Sequence, residues 1–285
     1  MIEYTEYLDT LKNKSPKTLL LYKRYLDIFI EKFKINSPKE IEKLERKQLA
    51  SFRDSINGSE STKNLIKRIL KAFFNFLYEN DYIKNTNNID RLDTLTEPQV
   101  VKRFLTEDEK ILLINSAKYS DVKAMIALLI FHGLRRGEAV NLKRVDYNGK
   151  YLHINRKRQH QDRIKLHPIV KQLLDIYLQK RKDDCEYLFV AHRSKDGKVH
   201  GITGESVRVQ VKTTCERAGI DPSDIHPHTL RHTFASTLLN DGHSTIVVRD
   251  LMGHSSATTT ERYAHTQKTY LDSIVASQKS EGINI

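Results

Sequence analysis

Apolar side chains recur at helical spacing through the first hundred residues, and this recurrence confines the N-terminal part of the chain to packed helices. In SPKTLLLYKRYLDIFIEKF, a serine cap and a proline at the first helical position lead into Leu19, Tyr22, Leu26, Phe29, Ile30 and Phe33 on one face. STKNLIKRILKAFFNFLYEN repeats the pattern with Leu65, Ile66, Ile69, Leu70, Phe73 and Leu77. An apolar stripe has to be covered, so two such stripes imply helices packed on one another. Lys63, Lys67 and Lys71 recur every fourth residue along the second stretch. They form a basic ridge suited to phosphates and equally to water.

Between Lys84 and Arg103 the text loses helical period, gains asparagine and approaches a proline, which is how a linker reads. The expected division is therefore a helical domain over 1–84, a linker over 85–103 and a second domain over 104–285. FLTEDEK opens that second domain with Thr106 as a cap and Glu109 three positions on, a capping-box pattern. DVKAMIALLIFHGL continues as a buried helix closed by Gly133. From Lys150 the period changes to two: YLHIN and RIKLH flank the basic RKRQHQD. That alternation predicts a short hairpin or three-stranded sheet with a basic tip. Helical text resumes at PIVKQLLDIYLQKRK, so the expected fold class is mainly α with a small antiparallel sheet.

Charge narrows the partner. The 285 residues hold 48 Lys and Arg against 36 Asp and Glu, a formal net charge of +12. Residues 1–98 carry net +3 and residues 99–285 net +9. Such an excess favours a polyanion, either nucleic acid or an acidic membrane surface. Two cysteines, Cys185 and Cys215, stand far apart, which supports neither a disulfide framework nor a cysteine metal site. A reducing compartment fits. The N-terminus lacks a signal-peptide design, and the apolar run AMIALLIF is too short to span a bilayer, so a cytoplasmic protein is expected.

Four islands in the second half carry reactive side chains: HGLRRGEAVNL with Arg135, NRKRQHQDRIKL with Lys157, HPHTLRHTFAS with His228 and Arg231, and LMGHSSATTTERYAH with His254 and Tyr263. Each alone has an ordinary structural reading, such as an Arg135–Glu138 ion pair or a half-buried Tyr263. Together they describe a phosphodiester site. A phosphoryl transition state spreads negative charge over its non-bridging oxygens, and two fork-shaped guanidiniums match that distribution. Arg135 and Arg231 are the candidates. His228 lies one helical turn before Arg231, so both can address one phosphate. A phenol with an ordinary pKa near 10 needs a cationic field or a base to attack, and the arginines and histidines supply one if they converge on Tyr263. A hairpin lysine such as Lys157 suits the proton donor to the leaving oxygen.

In this order and spacing the residues resemble the tyrosine recombinases, the phage-integrase-type site-specific recombinases. The family's catalytic domain shows an arginine in a Gly-Leu-Arg-x-x-Glu setting, a hairpin lysine, a His-x-x-Arg box, a Gly-His box and a tyrosine nine residues on. Here these read GLRRGE, Lys157, HTLRH, MGHSS and Tyr263. The hairpin lacks the glycine-lysine signature of many relatives, and Lys157, beside Arg158, is assigned by its place at the end of the first strand. The resemblance is strongest over 104–265 and implies a tyrosine-recombinase catalytic domain behind a SAM-like core-binding bundle. It implies that Tyr263 forms a 3′-phosphotyrosyl bond, that Lys157 protonates the departing 5′-hydroxyl, and that Arg135, Arg231, His228 and His254 cradle the phosphate. Glu138 orients its neighbours. Neither a metal nor any other cofactor is needed, because the ester conserves the bond energy.

The implied partners are double-stranded DNA with an inverted-repeat site and further protomers, as a tetramer on two sites or paired with a related recombinase. Lys63, Lys67, Lys71 and Arg158 are the expected DNA contacts outside the catalytic set. Tyr270, Leu271, Ile274 and Val275 share a helical face near the C-terminus, suited to docking on a neighbouring protomer or on the same chain. Competing readings are a non-catalytic DNA-binding protein, a type IB topoisomerase-like enzyme, and a metallohydrolase built on His228 and His232. The last lacks a glutamate between its histidines in the expected position.

Overall fold

A computed structural model describes residues 2–98, 103–156, 161–191, 198–253 and 264–285, with backbone alone over 264–269. The chain divides into two compact units, Met1–Val100 and Val101–Ile285.

The first unit contains α1 (Ile2–Thr10), α2 (Pro16–Phe33), α3 (Pro38–Glu42), α4 (Arg46–Ser55), α5 (Glu60–Glu79) and α6 (Asn87–Asp90). Ser15 caps α2 by accepting from the Thr18 amide at 3.2 Å, with Pro16 at the first turn. The two sequence stripes form the core: Leu26 and Phe29 of α2 and Ile66, Ile69, Leu70, Phe73 and Leu77 of α5 are fully buried. Leu19, Tyr22, Ile30, Phe33 and Leu65 pack around them. Phe29 meets Phe52 edge-on at 5.2 Å, a geometry that adds to area burial.

The text expected as a linker carries structure of its own over 87–97. Ile89 and Leu92 enter the core of the first unit, and the Asn64 side chain bonds both the carbonyl and the amide of Leu95, at 2.9 and 2.8 Å. Lys71 pairs with Asp90 at 2.7 Å, and Lys67 donates to the Thr94 hydroxyl at 2.9 Å. Two apolar residues three apart anchor the segment, and lysines from the α5 ridge tie it down, so the bundle continues past Lys84.

The second unit contains α7 (Glu107–Asn115), α8 (Ser120–His132), α9 (Arg136–Val140), β1 (Tyr151–Asn155), β2 (Gln161–Lys165), α10 (Pro168–Lys180), α11 (Gly204–Ala218), α12 (Pro227–Asn240), α13 (Thr245–Leu251) and α14 (Ala264–Ala276). Helix α8 is buried along nearly its whole length and packs against α10 and α12. The capping box at Thr106 and Glu109 opens α7, with reciprocal bonds of 3.2 and 3.0 Å. Among the described residues the sheet is two-stranded and antiparallel, from Tyr151 opposite Lys165 to Asn155 opposite Gln161. Leu152 and Ile154 face inward, as the alternation requires. Cys215 is buried, and that burial pushes its thiol up to about 11.

The C-terminal segment folds back on its own unit. Ile274 packs with Phe234, Ala235, Leu238 and Val248, and Val275 is buried, whereas Tyr270 stays half exposed. Gln278 donates to the Phe131 carbonyl at 2.9 Å, and the Asn284 amide donates to Asn115 at 2.8 Å. In the single chain the expected apolar face is therefore divided, with its inner half already covered in cis.

Gly133 ends α8 in the left-handed region at φ 57°, and a Cβ there would stand 2.4 Å from Cδ1 of Phe234. Gly133→Ala combines left-handed strain with overpacking, an expected loss of about 2–4 kcal/mol. That is a fall of roughly 5–15 °C in the melting temperature of a unit this size. Gly149→Ala, at φ 83° with no atom within 4 Å of its Cβ, isolates the strain alone. Its loss in the same thermal scan should be clearly smaller.

Candidate active site

The left-handed turn at Gly133 sends the chain out of the buried helix, past buried Leu134, to Arg135, which caps α9. The Arg135 amide donates to one carboxylate oxygen of Glu138 at 2.7 Å, and its guanidinium pairs with the other at 2.7 Å. Glu138 is only 8% exposed, so this charge cannot be left to water. Its oxygen nearer the amide also lies 4.0 Å from Nη1 of Arg231. One buried carboxylate thus stands between two guanidiniums delivered by α9 and α12, and the trio keeps a net positive charge.

Pro227 opens α12 behind the cap residue His226, whose carbonyl receives the Thr229 amide at 2.8 Å. His228 follows as the exposed residue of an otherwise buried first turn, and Arg231 one turn later points inward and is buried. The Arg231 guanidinium donates to the carbonyl of Gly133 and, at 2.9 Å, to that of Met252. It therefore joins the end of α8 to the end of α13. Burial, then Arg135, pushes the Arg231 pKa down to about 10, with Glu138 opposing and Arg156 adding to the fall. Arg231 remains a cation at neutral pH.

Desolvation lowers the His228 pKa below its ordinary 6.5, and the neighbouring charges of His226, Arg136, Arg231 and Arg135 lower it further. The imidazole is thus neutral at pH 7, with a nitrogen lone pair able to accept a proton. The His226 and His228 rings are 6.2 Å apart. His232, the second histidine of the metallohydrolase reading, sets its ring edge-to-face with Phe104 at 6.3 Å.

Arg135, His228 and Arg231 are therefore brought together. Lys157, Arg158, His254 and Tyr263 lie outside the described residues, although both of their flanks are described. Arg156, directly before Lys157, donates to the Met252 carbonyl at 2.7 Å, and Met252 stands two residues before His254. Arg136, His226 and Arg156 were not singled out in the sequence. Arg136 lies against Gly204, where a Cβ would come 3.0 Å from its Nε. The doublet Arg135–Arg136 was the available signal for Arg136. Arg156 was one of three consecutive basic residues with nothing to separate it from Lys157 and Arg158.

A cluster of cations around one buried carboxylate, beside a neutral imidazole, is chemically able to receive an anion such as a phosphate and to take up a proton. A helical bundle followed by a unit that gathers such residues from separate helices is the plan of site-specific recombinases with a tyrosine nucleophile. The model of the phage integrase family matches residues 95–269, and that of the phage integrase N-terminal SAM-like domain matches residues 1–81. The chain belongs to the phage integrase family and is a tyrosine site-specific recombinase. It is 31% identical over 280 residues to a tyrosine recombinase of Thermosipho africanus, covering 92% of this chain and 93% of that one. It is 30% identical over 282 residues to tyrosine recombinase XerA of Pyrococcus horikoshii, covering 97% and 92%. Its fold is similar to a lambda integrase dimer bound to a COC′ core site, with a TM-score of 0.70, 19% identity and coverage of 89% and 96%.

The electrostatic account predicts a measurable midpoint. Followed by NMR, with His228→Gln to assign the resonance, His228 should titrate below 6.5 in the DNA-free protein. Arg136→Ala removes a cation and should move the midpoint upward. A midpoint at or above 6.5, or one that Arg136→Ala leaves in place, would contradict this cause.

Proposed function

We propose that this recombinase cuts and rejoins double-stranded DNA through Tyr263. The phenolic oxygen bonds to the scissile phosphorus, the bond from phosphorus to the 5′-oxygen breaks, and a 3′-phosphotyrosyl ester keeps the bond energy. Neutral His228 takes the phenolic proton, and Lys157 supplies the proton that the 5′-oxygen needs. Arg135 and Arg231 bind the non-bridging oxygens, with His254 completing the cradle. A 5′-hydroxyl from a partner strand reverses the step. No metal or nucleotide enters this balance. The observation that carries the reading is the sharing of buried Glu138 by Arg135 and Arg231, which aims two fixed charges at one place.

The domain plan, a SAM-like unit followed by a catalytic unit, suits contact with one duplex by both. Lys67 and Lys71 already hold residues 90–94, which favours Lys63 over them as a phosphate contact on the α5 ridge. A tetramer on two inverted-repeat sites accords with the similarity to a lambda integrase tetramer bound to a Holliday junction, at a TM-score of 0.71. The Xer names of the relatives favour a Xer-like role in resolving DNA over mobile-element integration. Among the described residues no helix is long and apolar enough to cross a membrane, which accords with action on DNA in the cytoplasm.

A nicked suicide substrate should trap a covalent protein–DNA adduct that persists in chelator and disappears in Tyr263→Phe. An adduct that survives Tyr263→Phe would refute the nucleophile. Lys157→Ala should slow cleavage of ordinary DNA by about 10²–10⁴-fold, the usual contribution of a general acid. A 5′-bridging phosphorothiolate substrate, whose leaving group needs no proton, should be nearly spared. Equal loss on both substrates would remove Lys157 from that role.

A further inference from the structure

We propose that Arg156 is a positioning residue for this reaction: its guanidinium locks the strand end that leads into Lys157 to the turn that leads into His254. The proposal rests on the general-acid role given to Lys157 above.

Arg156 follows β1 directly and is 9% exposed, an unusual depth for an arginine next to a basic tip. Nη1 donates to the Met252 carbonyl at 2.7 Å, and Nη2 reaches the Leu251 carbonyl at 3.4 Å. These are terminal carbonyls of α13, which have no helical donor and attract a cation. Nη2 also pairs with Asp162 at 3.0 Å. Asp162 lies on β2 opposite Ile154, so the carboxylate returns the guanidinium to its own hairpin, at the end of the strands next to the tip. Met252 receives a second donor, Nη2 of Arg231, at 2.9 Å. One carbonyl therefore sets the tip end of the hairpin strands against the phosphate-binding arginine.

Gly253 supplies independent support. It turns at φ 66°, and a Cβ there would lie 1.8 Å from Nη1 of Arg156. Only glycine both accepts that backbone and leaves room for the guanidinium. The glycine of the Gly-His box is thus matched to Arg156 as well as to its own turn. Lys157 and His254 are each the next residue after one side of this contact, so a shift of either anchor is passed on across a single peptide unit. Misplacement of a reacting group by about 1 Å can cost on the order of 10²-fold in rate. Lysine has no planar fork to reach two carbonyls and a carboxylate together, so it is not an equivalent replacement.

The test is single-turnover cleavage by full-length protein on nicked DNA, with an ordinary or a 5′-bridging phosphorothiolate linkage. Arg156→Ala should bind a single site within about threefold of the parent, because phosphate contacts elsewhere supply the affinity. It should cleave ordinary DNA on the order of 10²-fold more slowly and the thiolate less than about tenfold more slowly. Arg156→Lys should fall between Arg156→Ala and the parent on ordinary DNA. If Arg156→Ala unfolds, Arg156→Met with Asp162→Asn removes both charges together and should show the same split. Equal losses on the two substrates, or no loss on either, would overturn the proposal. Lys157→Ala run alongside separates the claims. If it shows the split and the Arg156 variants do not, positioning by Arg156 fails alone; if it loses both substrates equally, the general-acid reading fails and takes this proposal with it.

Discussion

The site depends on a buried guanidinium that has to be satisfied by backbone. Arg231 sits beneath the surface of its unit, where an uncompensated charge would cost several kcal/mol. Among its partners are the carbonyl that ends α8, the carbonyl that follows α13, and the Glu138 carboxylate at 4.0 Å. The two carbonyls belong to the C-caps of α8 and α13, and Glu138 lies within the short helix α9. The guanidinium proposed to bind a DNA phosphate thus also joins the ends of α8 and α13 and reaches α9.

Crowding of like charges follows from that arrangement. Arg135 and Arg156 both depress the pKa of Arg231, and four cationic or titratable neighbours depress that of His228. Glu138 opposes the repulsion on Arg231, and Asp162 pairs with Arg156. A site that holds cations against their mutual repulsion is prepared for an anion, because a phosphate lowers the energy of every member at once. The same field holds the His228 pKa down before an anion arrives, and negative charge arriving beside it offsets that field and favours protonation.

Much of this was legible in the text of the chain. Leu26, Phe29, Ile69 and Phe73 fell into the core because helical period is a local property, and the capping box at Thr106 and Glu109 formed because its bonds span three residues. The pairing of Arg135 with Glu138 and the single turn between His228 and Arg231 were equally local. Contacts between distant residues were not legible. Asn64 binding Leu95 drew the expected linker onto the first bundle, and Gln278 bonding Phe131 brought the C-terminal segment back to α8. Arg156 was concealed for the same reason: its partners Leu251 and Met252 lie 95 and 96 residues on, and nothing in RKR distinguishes the arginine that turns inward.

Convergence on one phosphorus is the claim from which the others follow, and a crystal structure of Tyr263→Phe protein on an uncleaved duplex site tests it most directly. The account predicts one phosphate whose non-bridging oxygens lie within about 3 Å of guanidinium nitrogens of both Arg135 and Arg231, with the His228 ring beside them. Two arginines bound to different phosphates, or a scissile phosphate that neither touches, would contradict it.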